Sequence, residues 1–392
     1  MIHKNMIPRK ITKEILQLKK EFPIVTILGP RQSGKTTLTK DIFKKYKYVS
    51  LEDPDMRELV QDDPRGFLEE YNKNVIIDEV QRIPEFFSYL QTHVDKIKQN
   101  GSFILTGSHN YLLMENISQS LAGRTGIVTL LPLSMEELFK DDINNLNKTI
   151  FTGFYPRIFD QNIRPNSFYK SYLNTYLERD IRMIKNISNY SSFLKFLKLI
   201  AGRSGQVLNV KNVAEDSGIS YHTAESWISI LETSYIIFKL QPFHKNFNKR
   251  IIKSPKIFFY DTGLLCYLLG IRKKEEISNH YLKGNIFENF IISDLIKFDY
   301  NQGNLNSFYF WQDTNKNEID LIIENGEYTK AVEIKAGSTI RSELFKNLLT
   351  WEKLQKKTKT FLFYGGDMSM TKKGTKILNW KDLIQIKKSG LF

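Results

Sequence analysis

GPRQSGKT, residues 29–36, fits the pattern Gly-x-x-x-x-Gly-Lys-Thr, with Gly29, Gly34, Lys35 and Thr36 at the fixed positions. Its setting matters more than the string. The apolar run IVTIL (24–28) precedes it and the helical pattern TTLTKDIFKK (36–45) follows. A strand, a glycine loop and a helix N-terminus in succession turn several backbone N–H groups toward one point, where an anion is stabilised. Gly29, Pro30, Arg31, Gln32, Ser33, Gly34, Lys35, Thr36 and Thr37 are therefore the expected cradle for nucleotide phosphates. Lys35 is expected to reach the β and γ phosphates, and Thr36 to hold Mg²⁺ through its hydroxyl. Arg31 either contacts phosphate or caps the turn.

Such a loop needs acidic partners from a second strand. NVIIDE (74–79) supplies Asp78, expected to organise Mg²⁺, and Glu79, expected to polarise the attacking water. A third run, FILTGS (103–108), ends in Thr106 and Ser108. Ser108 is the preferred γ-phosphate sensor. Arg124, in SLAGRTG, is a candidate stabiliser of transition-state charge, acting in cis or from a neighbouring subunit. The competing reading of Arg124 is an ordinary ion-paired surface arginine. Three parts in the right order point to an ATPase using ATP and Mg²⁺.

Outward from the loop, residues 1–140 alternate short apolar strands with helical stretches, the pattern of a parallel α/β sheet. The strand candidates are IVTILG, KYVSLE, NVIIDE, SFILTGS and GIVTLLPL. The polar run KDDINNLNKT (140–149) reads as a boundary. Residues 141–275 read as mostly helical. From residue 276 a helix, GNIFENFIISDLIKF, leads into the strands SFYFWQD, EIDLIIENG, AVEIKAG and KTFLFYGG. The expected organisation is a parallel-sheet ATPase domain (1–140), a helical segment (141–275) and a C-terminal α/β domain (276–392).

Within the middle segment, residues 208–237 read as helix, turn, helix, with Gly218 in the turn and Ser220 capping the second helix. The runs YIIFKLQPF and SPKIFFYD would form a wing around the basic loop HKNFNKRIIK. In a DNA-binding version, Tyr221, His222 and Thr223 face bases while Lys245, Lys249, Arg250 and Lys253 face phosphate. The alternative is a packing module for protein contacts.

AVEIKAG (331–337) places Glu333 and Lys335 on one strand face, because side chains alternate with period two. Asp320 ends KNEID one strand earlier, and Glu288 lies on the preceding helix. An acid followed by Glu-x-Lys on adjacent strands is the skeleton of a metal-dependent nuclease centre. Asp320 and Glu333 would bind Mg²⁺ or Mn²⁺, Lys335 would orient water or offset charge, and Glu288 adds a carboxylate. The bland alternative is a strand-face ion pair.

Bulk composition agrees with a globular, polyanion-binding chain. It has 392 residues, 27 Phe and 19 Tyr, enough apolar material for more than one core. The formal charge of +14 favours DNA as a partner, although a Lys-rich solvated surface gives the same count. Cys266 is the only cysteine, and no His-x-x-x-His pair occurs, so neither a disulfide nor a structural zinc site is expected. The N-terminal run MIHKNMIPRKITKEIL has no apolar core of signal-peptide length, and KIFFYDTGLLCYLLG is interrupted by Asp261. A cytoplasmic location without membrane contact is expected.

The stretches GPRQSGKTT, IIDEVQ, LTGS, SLAGR, PLSMEEL, YLERDI, AGRSGQ, KSPKIFFYDTGLL, GNIFENF and EIDLIIENGEYTKAVEIKAG extend from about residue 20 to residue 340. Together they resemble a bacterial and archaeal family of AAA-superfamily ATPases. Its members join an N-terminal ATPase domain to a C-terminal domain of unknown function with a PD-(D/E)XK nuclease-like core, that is, a restriction-endonuclease-like fold. The resemblance implies ATP binding and hydrolysis, a winged-helix segment and a nuclease-like fold. One departure is Ile319, where proline precedes the acid in the motif. Glu178, Arg179 and Asp180 of YLERDI form either a relay or, as preferred, an ion-pair network. Two functions follow: an ATP-hydrolysing machine acting on DNA, or an ATP-driven switch that binds a protein partner or its own copies, with a silent nuclease-like domain.

Overall fold

The computed structural model describes residues 7–108, 117, 119–138, 143–177, 190–243, 254–304, 306–313, 315–326 and 328–392. Two compact units emerge. The first comprises residues up to Pro132 with the short pieces Thr233–Tyr235 and Tyr300–Asn304; the second takes the rest.

Among the described residues the first unit is built on five strands: β1 (Ile24–Leu28), β2 (Lys47–Ser50), β3 (Val75–Asp78), β4 (Phe103–Thr106) and β5 (Thr125–Thr129). All pairings are parallel, in the order β2-β3-β4-β1-β5. Every residue of β1, β3 and β4 is buried, with no in–out alternation. That is the signature of a sheet covered on both faces. Ile11 and Ile15 pack with Val25, Ile27, Leu38, Ile76, Ile104 and Val128 in one apolar cluster. The crossover order sets the site. β1, which carries the loop, and β3, which carries the acids, are separated by β4, so the end of β4 falls between them.

Among the described residues the second unit holds eight strands: β6 (Ile237–Pro242), β7 (Lys256–Phe259), β8 (Ser307–Gln312), β9 (Glu318–Asn325), β10 (Tyr328–Lys335), β11 (Thr358–Tyr364), β12 (Met370–Lys372) and β13 (Thr375–Asn379). Their order is β12-β13-β11-β10-β9-β8-β6-β7. β6 pairs antiparallel with β7 and, at its other end, parallel with β8, so the hairpin foreseen as a wing is continuous with the larger sheet. Ahead of it, the helices Val210–Ser217 and Tyr221–Thr233 flank a turn in which Gly218 adopts φ 72°, a left-handed conformation glycine enters without a Cβ clash. Ser220 Oγ accepts from the Thr223 amide at 3.1 Å, as a capping residue does. Trp311, Ile319, Ile322, Ala331, Leu348 and Trp351 form an apolar cluster around β8, β9 and β10. Among the described residues no helix is long and apolar enough to cross a membrane.

Candidate functional site

The loop after β1 curls tightly. Gly29 has φ 144° and Gly34 φ 95°, and Gln32 between them has φ 62°. A Cβ on Gly29 would lie 2.2 Å from the Leu130 carbonyl oxygen, so glycine is required there by space as well as by conformation. Lys35, the first residue of the helix Lys35–Ile42, folds its ammonium back to donate to the carbonyls of Gly29 (2.9 Å) and Pro30 (3.0 Å). Ser33 Oγ and Gln32 Oε1 are buried without a hydrogen-bond partner among the described residues. A buried hydroxyl left this way costs about 1–3 kcal/mol until something occupies it. Arg9, which sequence reasoning missed, sits behind the loop. Its buried guanidinium donates to the carbonyls of Ser33 and Leu131, both at 2.7 Å.

Asp78 ends β3 and is the hub. Its Oδ2 accepts from Thr36 Oγ1 at 2.8 Å and from the Tyr48 hydroxyl at 2.7 Å, and its Oδ1 accepts from Thr106 Oγ1. Burial, and then the neighbouring Asp78 carboxylate, push the Tyr48 hydroxyl well above its ordinary pKa, so it stays a donor. Glu79 is held at φ 57°, ψ 42°, a strained left-handed setting for a side-chain-bearing residue. Its Oε1 accepts from Ser108 Oγ at 2.8 Å and its Oε2 from Gln81 Nε2 at 2.5 Å. Hydrogen bonds thus join Thr36, Tyr48 and Thr106 to Asp78, and Ser108 and Gln81 to the next residue, Glu79, while Lys35 stays on the loop carbonyls. Arg31 lies 4.0 Å from Glu52, and Thr37 is exposed.

Arg124 does not join them. Its carbonyl accepts from the Ile24 amide at the start of β1, whereas the loop follows Leu28 at the strand's other end. Five residues at about 3.3 Å each separate the two edges. Its guanidinium instead makes a bidentate pair with Asp95, at 2.7 and 2.9 Å. The expectation of a role in cis fails on this topology.

A second centre forms on β9, β10 and the helix Lys283–Asn301. Lys335 Nζ lies 2.7 Å from Glu333 Oε1 and 3.2 Å from Asp320 Oδ2, and the Ile334 amide donates to the same Asp320 oxygen at 2.7 Å. Carboxylate oxygens of Glu288, Glu318 and Asp320 lie within 4.8 Å of one another. Lys256, on β7 and almost wholly buried, donates to Glu288 Oε1 at 3.0 Å and to Glu318 Oε1. Gln312 Nε2 donates to the other Glu318 oxygen at 2.6 Å. Gly205 of AGRSGQ backs onto Glu288: a Cβ there would sit 3.2 Å from Glu288 Oε2. Burial and then Asp320 push the Glu333 carboxyl up to about 8. Burial lifts Glu288 to about 7 against the pull of Lys256. For Lys335 burial works downward, but Asp320 and Glu333 outweigh it and the net direction is up. Glu288, Asp320, Glu333 and Lys335 therefore meet, and Lys256 and Glu318 are the members the sequence reading missed. Glu318 had a signal: it shares a strand face with Asp320 two residues on.

On the helix Tyr221–Thr233, Tyr221 and His222 are exposed, and Glu225 stands with them, accepting from the Tyr221 hydroxyl at 2.7 Å and lying 3.9 Å from His222. Lys245, Lys249, Arg250, Lys253, Glu178, Arg179 and Asp180 lie outside the described residues.

A parallel sheet in this order, with the loop lysine, the loop threonine and an acidic strand end converging, defines a P-loop ATPase domain of the AAA type. Residues 21–139 match the family model described as an AAA domain. Residues 143–275 and 283–383 match two models described as domains of unknown function, DUF8612 and DUF4143. An uncharacterized protein of Mycobacterium tuberculosis is 30% identical over 322 residues, 81% of this chain and 71% of that protein. The chain belongs to the family of that mycobacterial protein. An uncharacterized protein of Methanocaldococcus jannaschii is 24% identical over 358 residues, 80% of this chain and 77% of that protein. Among solved structures, the Walker-type ATPase PABY2304 of Pyrococcus abyssi superposes with a TM-score of 0.44 at 13% identity, over 66% of this chain and 94% of its own.

Proposed function

We propose that the chain binds and hydrolyses ATP at the loop centre and couples this to DNA, with metal-dependent phosphodiester cleavage at the second centre. The observation that carries the first part is the Asp78 carboxylate, which accepts from the loop through Thr36 and from β4 through Thr106.

The loop fits nucleotide phosphate. Ser33 Oγ is an orphaned buried donor, and Gly29 keeps clear the space a Cβ would fill. Lys35 would exchange two carbonyls for β and γ phosphate oxygens, a stronger, charge-assisted bond. Thr36 and Asp78 are hard oxygen donors that suit Mg²⁺, which when bound would offset phosphate charge. Glu79 would orient and polarise the attacking water. Its bond to Ser108 links that carboxylate to a strand end beside the γ-phosphate position, so nucleotide state and Glu79 geometry are coupled. Arg124 can serve only a neighbouring subunit's nucleotide, after release from Asp95.

The second centre has an oxygen donor set suited to Mg²⁺ or Mn²⁺, with Asp320 and Glu333 as holders; such an ion would polarise a phosphodiester oxygen. Glu333 Oε2 is buried without a partner among the described residues, which supports a ligand there. Lys335 would hold the attacking water or offset charge as the bridging P–O bond breaks. Basic loop residues 245–253, the exposed Tyr221 and His222, and the half-buried Thr223 would contact the duplex. The test is a pair of variants, Lys35→Ala and Asp320→Ala, assayed for ATP hydrolysis and for plasmid cleavage with Mg²⁺ or Mn²⁺. Loss of the first activity in the first variant and of the second in the second supports the reading.

A further inference from the structure

The second centre contains a cation that the nuclease-like pattern does not include. Lys256 comes from β7, outside the Asp and Glu-x-Lys strands, and is 3% exposed. Its ammonium lies against Glu288 and Glu318, two of the three carboxylates whose oxygens fall within 4.8 Å of one another. Gln312 fixes Glu318 from the other side, and Gly205 leaves no room behind Glu288. The lysine is therefore held by its surroundings rather than resting on a surface.

Charge counting gives the ammonium a role. Glu288, Glu318, Asp320 and Glu333 carry four negative charges when ionised, and Lys256 and Lys335 return two positive ones. One divalent ion brings the centre to neutrality. A second would leave a net positive charge in a partly buried site, where uncompensated charge is costly. We infer that Lys256 is a resident cation, standing between Glu288 and Glu318 where a second metal ion would otherwise bind, so that the centre takes one divalent ion and not two. This deepens the reading of Asp320 and Glu333 as metal ligands, and rests on it only for the wild-type ion.

The test counts and weighs Mn²⁺ by calorimetry, without nucleotide, in an Asp78→Asn background that removes the carboxylate of the loop site. Without Lys256→Met the chain is expected to bind one ion. Lys256→Met should bind Mn²⁺ at least about tenfold more tightly, because a unit of positive charge has left a partly buried cluster of carboxylates. Lys256→Arg, which keeps the charge, should behave like the parent. Adding Glu318→Gln to Lys256→Met should abolish the gain. Thermal unfolding gives a second readout: Mn²⁺ should raise the midpoint of Lys256→Met more than that of the parent. Lys256→Gln, neutral but polar, is the variant to use should Lys256→Met not fold. Two ions in the parent at this centre, or no gain in either neutral variant, overturns the inference. A parent that binds no ion while Lys256→Met binds one supports the resident cation and sinks the metal-dependent reading of the unmodified centre.

Discussion

Thr36 Oγ1 donates to Asp78 Oδ2 at 2.8 Å, across 42 residues of sequence. The first residue pair to test is therefore this one. Thr36→Ala and Asp78→Asn should each lower ATP turnover by about 100-fold or more, since each removes an oxygen donor of the proposed Mg²⁺ position. Binding of ATP in the absence of Mg²⁺ should change far less. Steady-state hydrolysis beside equilibrium titration with a fluorescent ATP analogue separates the two effects; equal losses with and without Mg²⁺ would mean that the pair only supports the fold.

Glu79→Gln should still bind ATP and should hydrolyse it about 100- to 1000-fold more slowly. The amide keeps the bond from Ser108 through its oxygen but cannot act as a base. Ser108→Ala should cause a smaller loss, because Gln81 still holds the other Glu79 oxygen. Single-turnover hydrolysis with pre-bound ATP reads this ordering directly, and a Ser108→Ala defect as deep as that of Glu79→Gln would contradict it.

These groups were legible early because each is a local string: Lys35 and Thr36 in the loop, Asp78 and Glu79 at one strand end, Ser108 at another. Their place at strand ends follows from parallel strands, which the alternation of apolar runs and helical patterns already states; their meeting depends on the crossover order. What sequence could not show is what the sheet order brings in from elsewhere. Tyr48 reaches Asp78 because β2 flanks β3. Arg9 reaches Ser33 and Leu131 from a segment with no motif of its own. Lys256 lies 62 residues from Glu318, in a stretch read only as a wing strand. The choice among the readings of Arg124 was closed to sequence for the same reason, since a motif does not disclose which edge of the sheet it occupies. In the second unit the runs at 307–313, 318–326, 331–337 and 359–366 became β8 to β11, whereas β12 and β13, short and half polar, gave no periodic signal.

Stability should fall as pH rises from about 4 to about 7. Asp294 is buried, and burial, opposed by Lys297 and by its bond from the Met135 amide, carries its carboxyl up from 3.8 to about 7. Asp261 moves in the same direction, again chiefly through burial. Between the ordinary and the raised value the folded chain keeps a proton that the unfolded chain has released. Folding is therefore favoured at the acid end of that window and loses up to about 4 kcal/mol through Asp294 by its upper end. Asp294→Asn keeps an acceptor for Met135 and removes the titration, so its unfolding midpoint should vary less with pH than that of the parent. A parent whose stability rises across the window would refute this.

Arg124→Ala should leave ATP affinity within about twofold of the parent, because the residue sits at the edge of the sheet opposite the loop. If subunits share sites, turnover per chain in the parent should rise with protein concentration, and the variant should lose that rise, as removal of an arginine supplied in trans does. Asp95→Ala serves as the control: it breaks the same ion pair and leaves the guanidinium in place. Loss of concentration dependence in both variants would assign the effect to the ion pair, and a concentration-independent parent would assign Arg124 to structure alone.

DNA binding is expected to weaken steeply with salt, since an excess of 14 positive charges attracts phosphate mainly by releasing condensed counterions. The slope of log affinity against log salt should decrease by about one for each of Lys245→Ala, Lys249→Ala and Arg250→Ala, if these residues face phosphate. Glu225→Gln offers an internal check. Its carboxylate stands beside Tyr221 and His222 at the helix end proposed to enter the groove, where it repels phosphate. Removing that charge should tighten binding if this face meets DNA and should leave it unchanged if the helix contacts a protein. Fluorescence anisotropy with a labelled duplex at several salt concentrations distinguishes the two, because a protein-binding surface predicts neither the slope change nor the gain from Glu225→Gln.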